Sequence, residues 1–477
     1  IHHSLVKAFY LVRWLALVLA SLLTGSSAAQ WNPSAGQWGK NNSTHIRVMT
    51  WNIRDAICSS NAFKTDSFGA WNALVRVVAA FQPDVLILQE CGDNNAYSGS
   101  GTVDSVANLT TTLELFMHGG ADPFIAGNPA VTSYVQKFVP SYDLPYIVVS
   151  DQHDGFNRNA VLSRYPLADL NGDTRTNITN FFLFADAYQT GGNAQIRGYQ
   201  FVEIDLPNSV YAGDLVVGNG HLRSGGASSD LAERIKAAQN IAYYIDYMFN
   251  GAGGSVPDPN NKVLDSPVVT SVLGANTPVI WGGDLNEDEQ SNGRKGPAEW
   301  MTNALSTGGT DGTDRNRSDS TYDTATEPFS GSRNTQSSSK LDYLLFQDSI
   351  ATPVIQAVFN SAQVPSGRHP FPVSTYPTGA GSVSSTASDH RPVIIDFSLP
   401  LAPPPPPPCP GDVNGDTSVD VLDFLDFFDA FGQCVNEPGP CAPSGVDADF
   451  NGDTSVDVLD FLDFFDAFGT GEGPCPT

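Results

Sequence analysis

Eight polar residues stand at or beside the ends of strand-like runs: Asn52, Glu90, His221, Asp284, Asn286, Asp342, Asp389 and His390. Carboxylates, carboxamides and imidazoles together suit a hard cation and an anionic substrate. The carboxylates take Mg²⁺, the amides position phosphate oxygens and the histidines move protons. No serine or cysteine nucleophile signature accompanies them. A second set lies near the end of the chain. Asp412, Asn414, Asp416, Asp420 and Asp423 fall at positions 1, 3, 5, 9 and 12 of a calcium loop, and Asp449, Asn451, Asp453, Asp457 and Asp460 repeat the spacing. Five short oxygen ligands so placed can wrap one Ca²⁺, with the backbone carbonyl of position 7 (Ser418, Ser455) added to them.

The first set needs a rigid scaffold. IRVMTWNI reads as a strand, AWNALVRVVAAF as a helix with Leu74, Val77, Val78 and Phe81 on one face, and DVLILQE as a second strand, which makes a β-α-β opening. A later helix is predicted after a cap at Ser229 and Asp230, with Leu231, Ile235, Ala238, Ala242 and Ile245 along its apolar stripe. NAVLSRYPL, DLVVGNGHL, TPVIWGGDLN, KLDYLLF and RPVIIDFSL add further strands. An α/β structure follows, with its chemistry gathered at strand ends and the loops beyond them.

Charge and composition divide the 477 residues into parts. The formal charge is −27, and residues 409–477 carry 15 Asp and Glu with no Lys or Arg. So acidic a chain gains nothing from counterion release on DNA, so a polynucleotide substrate must be argued from the site. Residues 1–29 pair two basic residues with an apolar run from Trp14 to Leu23 and end in Ser27-Ala28-Ala29. This is the pattern of a signal peptide, and the run is too short to span a bilayer. The expected location is secreted or cell-surface associated. Residues 30–400 form the large body. Residues 401–408, LAPPPPPP, read as a polyproline linker, and 409–477 form a module in which NGDTSVDVLDFLDFFDAFG occurs at 414–432 and again at 451–469. Export permits disulfides. Cys409, Cys434, Cys441 and Cys475 crowd into the module, where three pairings are open, while Cys58 and Cys91 lie in the body.

The motifs TWNI, LQE, GNGHL, GGDLN, LDYLLF and SDHRPV, in this order over residues 45–399, resemble the endonuclease/exonuclease/phosphatase superfamily. The resemblance implies a four-layer α/β sandwich with two central mixed sheets and a site at one edge. It implies an Mg²⁺ or Mn²⁺ ligand at Glu90, with Asn52 beside it and Asp389 in the terminal pair with His390. His221 resembles the histidine that contacts phosphate or protonates the leaving group, and Asp284 and Asn286 the pair that orients water and binds a phosphate oxygen. Asp342 resembles the aspartate that fixes the tautomer of His390. The general base is Asp284 in some members and His390 in others. Arg54 and Arg223 resemble phosphate-contacting arginines, and Asn159 stands where pancreatic-type deoxyribonucleases carry another glutamate, which implies one catalytic metal. The implied function is a phosphodiesterase or nuclease, with a sphingomyelinase-like lipid phosphodiesterase or a phosphomonoesterase as alternatives. A catalytically inactive secreted adhesion protein is the alternative of another class.

The module at 409–477 resembles a dockerin, a small all-α unit holding two Ca²⁺, which implies a cohesin-like partner. Dockerins present loop positions 10 and 11 to that partner, commonly as polar residues. Here those positions are Val421-Leu422 and Val458-Leu459, an apolar pair suited to another partner or to burial against the sister repeat. Phe424, Leu425 and Phe428 are expected to pack against Phe461, Leu462 and Phe465.

Overall fold

The protein is described by a computed structural model at residues 30–94, 101–170, 177–178, 199–245, 273–302, 320–403, 409–435, 445–451, 453, 455–471 and 473–474. The expected signal peptide and prolines 404–408 of the linker lie outside the described residues. Among the described residues no helix is long and apolar enough to cross a membrane. Two compact units divide the chain between Ala402 and Pro403.

In chain order the main elements of the first unit are β1 (Ile46–Asn52), α1 (Ala70–Phe81), β2 (Val85–Cys91), α2 (Val106–His118), β3 (Tyr146–Val149), β4 (Arg158–Ser163), β5 (Asn177–Ile178), β6 (Tyr199–Ile204), β7 (Leu215–His221), α3 (Ser228–Tyr244), β8 (Val279–Asp284), α4 (Pro297–Thr302), β9 (Ser320–Tyr322), β10 (Asp342–Gln347), β11 (Thr352–Val358) and β12 (Val393–Ser398). They form two six-stranded sheets, ordered β11-β12-β1-β2-β4-β3 and β9-β10-β8-β7-β6-β5. Each is mixed. β1 and β2 are parallel in the first, as are β7 and β8 in the second, and the other neighbours run antiparallel.

Three apolar cores separate four layers. Val48, Ile87, Val217, Ile280 and Leu344 fill the space between the sheets. Met49, Trp51, Leu74 and Phe116 join the first sheet to α1 and α2, and Trp281, Tyr343, Ile241 and Met301 join the second to α3 and α4. A strand covered on both faces buries side chains of both parities, which is why β1 and β2 read as mostly apolar runs and not as alternating ones, with Arg47, Thr50, Asn52 and Gln89 as buried polar exceptions. Helix α1 stops where Gln82 turns left-handed (φ 46°) and donates its N–H to the carbonyl of Val78, an αL cap.

Helix α3 departs from its predicted face. It begins at Ser228, so Asp230 sits in the first turn, where Oδ2 accepts from the N–H of Ala227 and Oδ1 from Nε of Arg223. The buried side chains are Arg234, Ala237, Ala238, Ile241 and Ile245, while Leu231 and Ile235 are half-buried and the side chain of Ala242 lies outside the described set. Arg234 sets this rotation: it points inward to Glu287 and donates to the carbonyls of Arg223 and Gly225 at 2.9 Å. An apolar stripe read without that ion pair falls partly on the wrong side.

The second unit carries helices α5 (Val421–Cys434) and α6 (Val458–Gly471), each following one acidic loop. It is not wholly helical, because Ser418–Val419 pairs with Gly473–Pro474. The predicted packing face holds in part: Phe424 and Phe461 pack against the seam, and Phe428 meets Phe461 edge-on, but the centre of the seam lies elsewhere. Phe427 and Phe464 are buried and stack with centroids 4.0 Å apart, whereas Leu425, Phe428, Leu462 and Phe465 are exposed. The cause lies in the loops. Asp423 turns fully inward to accept from the N–H groups of Asn414 and Asp420, and Asp460 does the same for Asn451 and Asp457. A helix that buries Asp423 also buries the residues one, two and three turns on: Phe427, Ala430 and Cys434. Val421, Leu422, Val458 and Leu459 stay exposed, and Cys409 and Cys434 are each disulfide-bonded.

Candidate active site

Topology brings all eight predicted residues of the first unit to one edge. In the second sheet His221 pairs in register with Asp284, and Asp284 with Asp342. β10 runs antiparallel to β8, so Asp342 reaches this edge by beginning its strand where Asp284 ends one. Likewise Asp389 and His390 precede β12, which is antiparallel to β1, and so stand beside Asn52 at the end of β1. Glu90 arrives by another route. The β2–β4 ladder slips between Leu88 and Cys91, and Glu90 takes φ 56°, so the bulge turns its side chain toward the second sheet.

Asp284 is the hub. Its Oδ2 accepts from Asn52 Nδ2 at 2.9 Å and lies 3.3 Å from Nε2 of His221 and 3.8 Å from Nε2 of His390. Asn286 follows at φ 51°, its N–H donating to Asp284 Oδ1 and its Nδ2 to the carbonyl of Leu222. That bond fixes the amide, so the Nδ2 lying 3.0 Å from His221 Nε2 is the donor there. The hydrogen of His221 is therefore on Nδ1, 3.8 Å from Oε1 of Glu90.

His390 Nδ1 meets Asp342 Oδ2 at 2.8 Å, both side chains almost wholly buried. Burial works against charge on His390, but Asp342 and Asp284, with Asp389 further off, outweigh it and lift its pKa to about 10. Burial also raises Asp342, although His390 opposes that rise. The pair therefore keeps a proton at neutral pH, and a carboxylate at 2.8 Å holds it on the imidazole. Asp389 is half-exposed, with Arg54 Nε 3.9 Å away at the mouth of the site. Arg223 faces Asp230 at 2.6 Å.

One residue at the site carried no sequence signal. The carboxamide of Gln336 lies 2.9 Å from His390 Nε2 and 3.4 Å from Asp389 Oδ2. It belongs to a tight turn whose Thr335 hydroxyl accepts from the N–H groups of Leu341 and Asp342, and whose Thr335 carbonyl accepts from Arg391. Such a turn is built from Ser and Thr without a motif, so only the fold places it.

The donor set fits a hard divalent cation. Asp284, Asp342 and His390 offer ligand atoms within 4.8 Å of one another, but the proton that His390 shares with Asp342 occupies that pair, which leaves the carboxylates of Glu90, Asp284 and Asp389 as the oxygen donors at this edge. His221 Nδ1 is buried with no hydrogen-bond partner among the described residues, an arrangement that costs free energy unless a ligand compensates it. A model of the Endonuclease/Exonuclease/phosphatase family matches residues 49–390, from β1 to His390 itself. The chain belongs to that family. Endonuclease/exonuclease/phosphatase members are phosphoester hydrolases that generally use a divalent metal, and the chain is a hydrolase of this nuclease- and phosphatase-like group. An endonuclease/exonuclease/phosphatase from Beutenbergia cavernae DSM 12333 is 17% identical, with a TM-score of 0.41 over 75% of this chain and 72% of that one. The human Nocturnin catalytic domain with bound sulfate anion is 14% identical, with a TM-score of 0.35 over 75% and 95%. D. rerio TDP2 complexed with single strand DNA product is also 14% identical, with a TM-score of 0.34 over 75% and 100%. No curated protein matches the chain.

Proposed function

We propose that the chain is a secreted phosphodiesterase of nuclease type, dependent on Mg²⁺ or Mn²⁺ and tethered by a calcium-dependent docking module. The observation that carries the catalytic reading is the hub: Asp284 within 4 Å of Asn52, His221 and His390, with Glu90 on the far side of His221. Glu90, together with Asn52 and Asp389, would hold the metal, which when bound neutralises phosphate charge and lowers the pKa of water. Asp284 takes the proton of the attacking water, since His390 already holds one. His390 donates from Nε2 to a phosphate oxygen after Gln336 yields its place. Asn286 and Asn52 orient oxygens around them. His221 Nδ1, buried without a hydrogen-bond partner among the described residues, is the hydrogen-bond donor for the leaving oxygen, and a second imidazole serves the alkoxide of a diester more than the weaker demand of an activated monoester.

Both acidic loops support the tail reading. Asp412, Asp416 and Asp423 bring ligand atoms within 4.8 Å of one another. Asp416 and Asp453 accept identical bonds from Ser418 and Ser455 in the two repeats. Exposed Val421, Leu422, Leu425 and Phe428, and their counterparts in α6, offer an apolar face to a cohesin-like or other protein partner. Purified protein assayed with Mg²⁺ on plasmid DNA, RNA, sphingomyelin, bis-p-nitrophenyl phosphate and p-nitrophenyl phosphate tests the catalytic reading. Cleavage of nucleic acid and the synthetic diester is expected, and hydrolysis of the monoester alone overturns it.

A further inference from the structure

Asn219 lies two residues before His221 on β7, yet its carboxamide crosses to the other sheet. Nδ2 donates to the carbonyls of Leu88 and Ala160 at 3.0 and 3.1 Å, and Oδ1 accepts from Gln89 Nε2 at 2.9 Å. Gln89 Nε2 also donates to Thr50 Oγ1 at 3.1 Å. Thr50, Gln89 and Asn219 have no exposed surface. Leu88 and Ala160 are the last regular pair of the β2–β4 ladder before it slips, and Gln89 lies inside the slip. One side chain from the second sheet therefore grips the bulge both at its base and from within. The next residue is Glu90, held at φ 56° with its carboxylate toward His221.

We infer that Asn219 is a positioning residue for Glu90: it fixes the bulge that presents this carboxylate to the metal, and it ties that placement to His221 on its own strand. The inference rests on the reading of Glu90 as the metal ligand. The geometry argues for more than glue between sheets. A glutamate at positive φ is strained and keeps that conformation only where its surroundings hold it. Backbone bonds from Ile53 to Gln89 and from Asp55 to Glu90 hold the side facing β1, Asn219 holds the side facing the second sheet, and a carboxylate ligand whose backbone can relax binds metal less tightly. Partners one step removed from a metal typically change affinity by about 10- to 100-fold when lost. Gln200 provides the contrast. It is equally buried, donates to the carbonyl of Val148 at 2.8 Å and accepts a long bond from Asn219 Nδ2 at 3.5 Å, but it makes no hydrogen bond to Gln89 among the described residues, so losing it leaves the bonds of Asn219 to Leu88, Ala160 and Gln89 in place.

The test compares Asn219→Ser, Gln89→Met, Gln200→Leu and Glu90→Gln in the full chain. Affinity for Mn²⁺ is read from the rise in melting temperature with metal concentration, and turnover of bis-p-nitrophenyl phosphate is read across the same range. Asn219→Ser and Gln89→Met are expected to weaken metal binding by about 10-fold or more, with turnover returning to within about threefold of wild type at saturating metal. Gln200→Leu, which also lowers the melting temperature, should keep its metal affinity. Gln89→Met keeps the test alive if the β7 variant does not fold. Wild-type metal affinity in both bulge variants, beside loss of affinity in Glu90→Gln, overturns the role of Asn219 alone. Unchanged affinity in Glu90→Gln overturns the metal assignment of Glu90 and the inference with it.

Discussion

Glu90, from the bulge of β2, and His390, from the segment before β12, enter the site with different chemistry, so their substitution should separate cation binding from proton handling. Glu90→Gln keeps the shape and removes the charge, and His390→Ala removes the imidazole. Each is expected to lower turnover by about 10²-fold or more while still melting cooperatively, Glu90→Gln near the wild-type temperature and His390→Ala below it because Asp342 loses its buried partner; near-normal diesterase activity in either would sink the site assignment. His390 also makes a stability prediction. Its pKa is lifted to about 10 in the folded chain, against about 6.5 in an unfolded one. A raised pKa stabilises the fold fully below about pH 6.5, and that contribution is lost as pH climbs through 10. In chelator, the melting temperature should therefore fall more steeply between pH 7 and 10 for wild type than for His390→Gln or Asp342→Asn. Parallel curves would show that the buried pair holds no extra proton. At this scale the sequence was informative about residue type and order, because few chemistries use two imidazoles, two carboxamides and four carboxylates at strand ends. Gln336 was illegible, since its value comes from a turn that folds against His390. Asn219 and Gln89 were legible only as polar residues inside apolar strands, with no indication that they touch.

Strands are the elements the residue pattern predicts best here, and the reason is burial on both faces. Continuous runs such as VMTWN and VLILQ leave no exposed side to be misread, whereas α3 is turned by one buried ion pair, Arg234 with Glu287, that an apolar count cannot see. The bulge at Glu90 was hidden for a related reason: LQE reads as the end of a plain strand, and the slip depends on β4 and on the other sheet. β7 and β8 also meet a packing constraint that the GNGH and WGGD motifs encode. The indole of Trp281 lies across β7, where a Cβ on Gly218 would stand 2.1 Å from its Cδ1 and one on Gly220 2.5 Å from its Cζ2. Trp281 is itself buried, so the ring cannot swing away freely. Gly218→Ala is therefore expected to cost about 1–3 kcal/mol by overpacking, measured by urea unfolding. Gly226→Ala, whose Cβ would enter open space, should stay within about 0.5 kcal/mol. Equal effects would mean that the two strands can spread without loss, and the register of His221 with Asp284 would then need another support.

The whole molecule joins an α/β body, itself acidic, to a small unit of far denser negative charge. Residues 409–477 concentrate 15 acidic side chains with no basic ones, and the ten loop ligands among them and their asparagines must sit close together. Within the loops each carboxylate is partly satisfied by backbone N–H groups: Asp412 accepts from Gly415, Asp416 and Thr417, and Asp423 from Asn414 and Asp420. Thr417 is held left-handed at φ 71°, where a β-branched residue is strained. Backbone bonds of this kind shape the loop without cancelling its charge, so the empty loop is opposed by repulsion and by strain. Two Ca²⁺ ions would cancel four of the fifteen charges, and their binding free energy would appear as folding free energy. The buried seam is small, centred on Phe427 and Phe464, and below about 70 residues such a core stabilises little without a metal or a disulfide. In chelator, limited proteolysis of the full chain should cut within α5 and α6 while sparing the body, and millimolar Ca²⁺ should protect both helices. Thr417→Gly should lower the calcium needed for protection, since it removes the strain before binding. Because Cys409 and Cys434 are disulfide-bonded, the bridges restrict the unfolded chain and narrow the difference, so the calcium effect should be larger after mild reduction. Helices equally resistant in chelator and in calcium after reduction, with no calorimetric binding near two ions per chain, would show that the repeats are ordinary acidic hairpins and not ion-dependent modules.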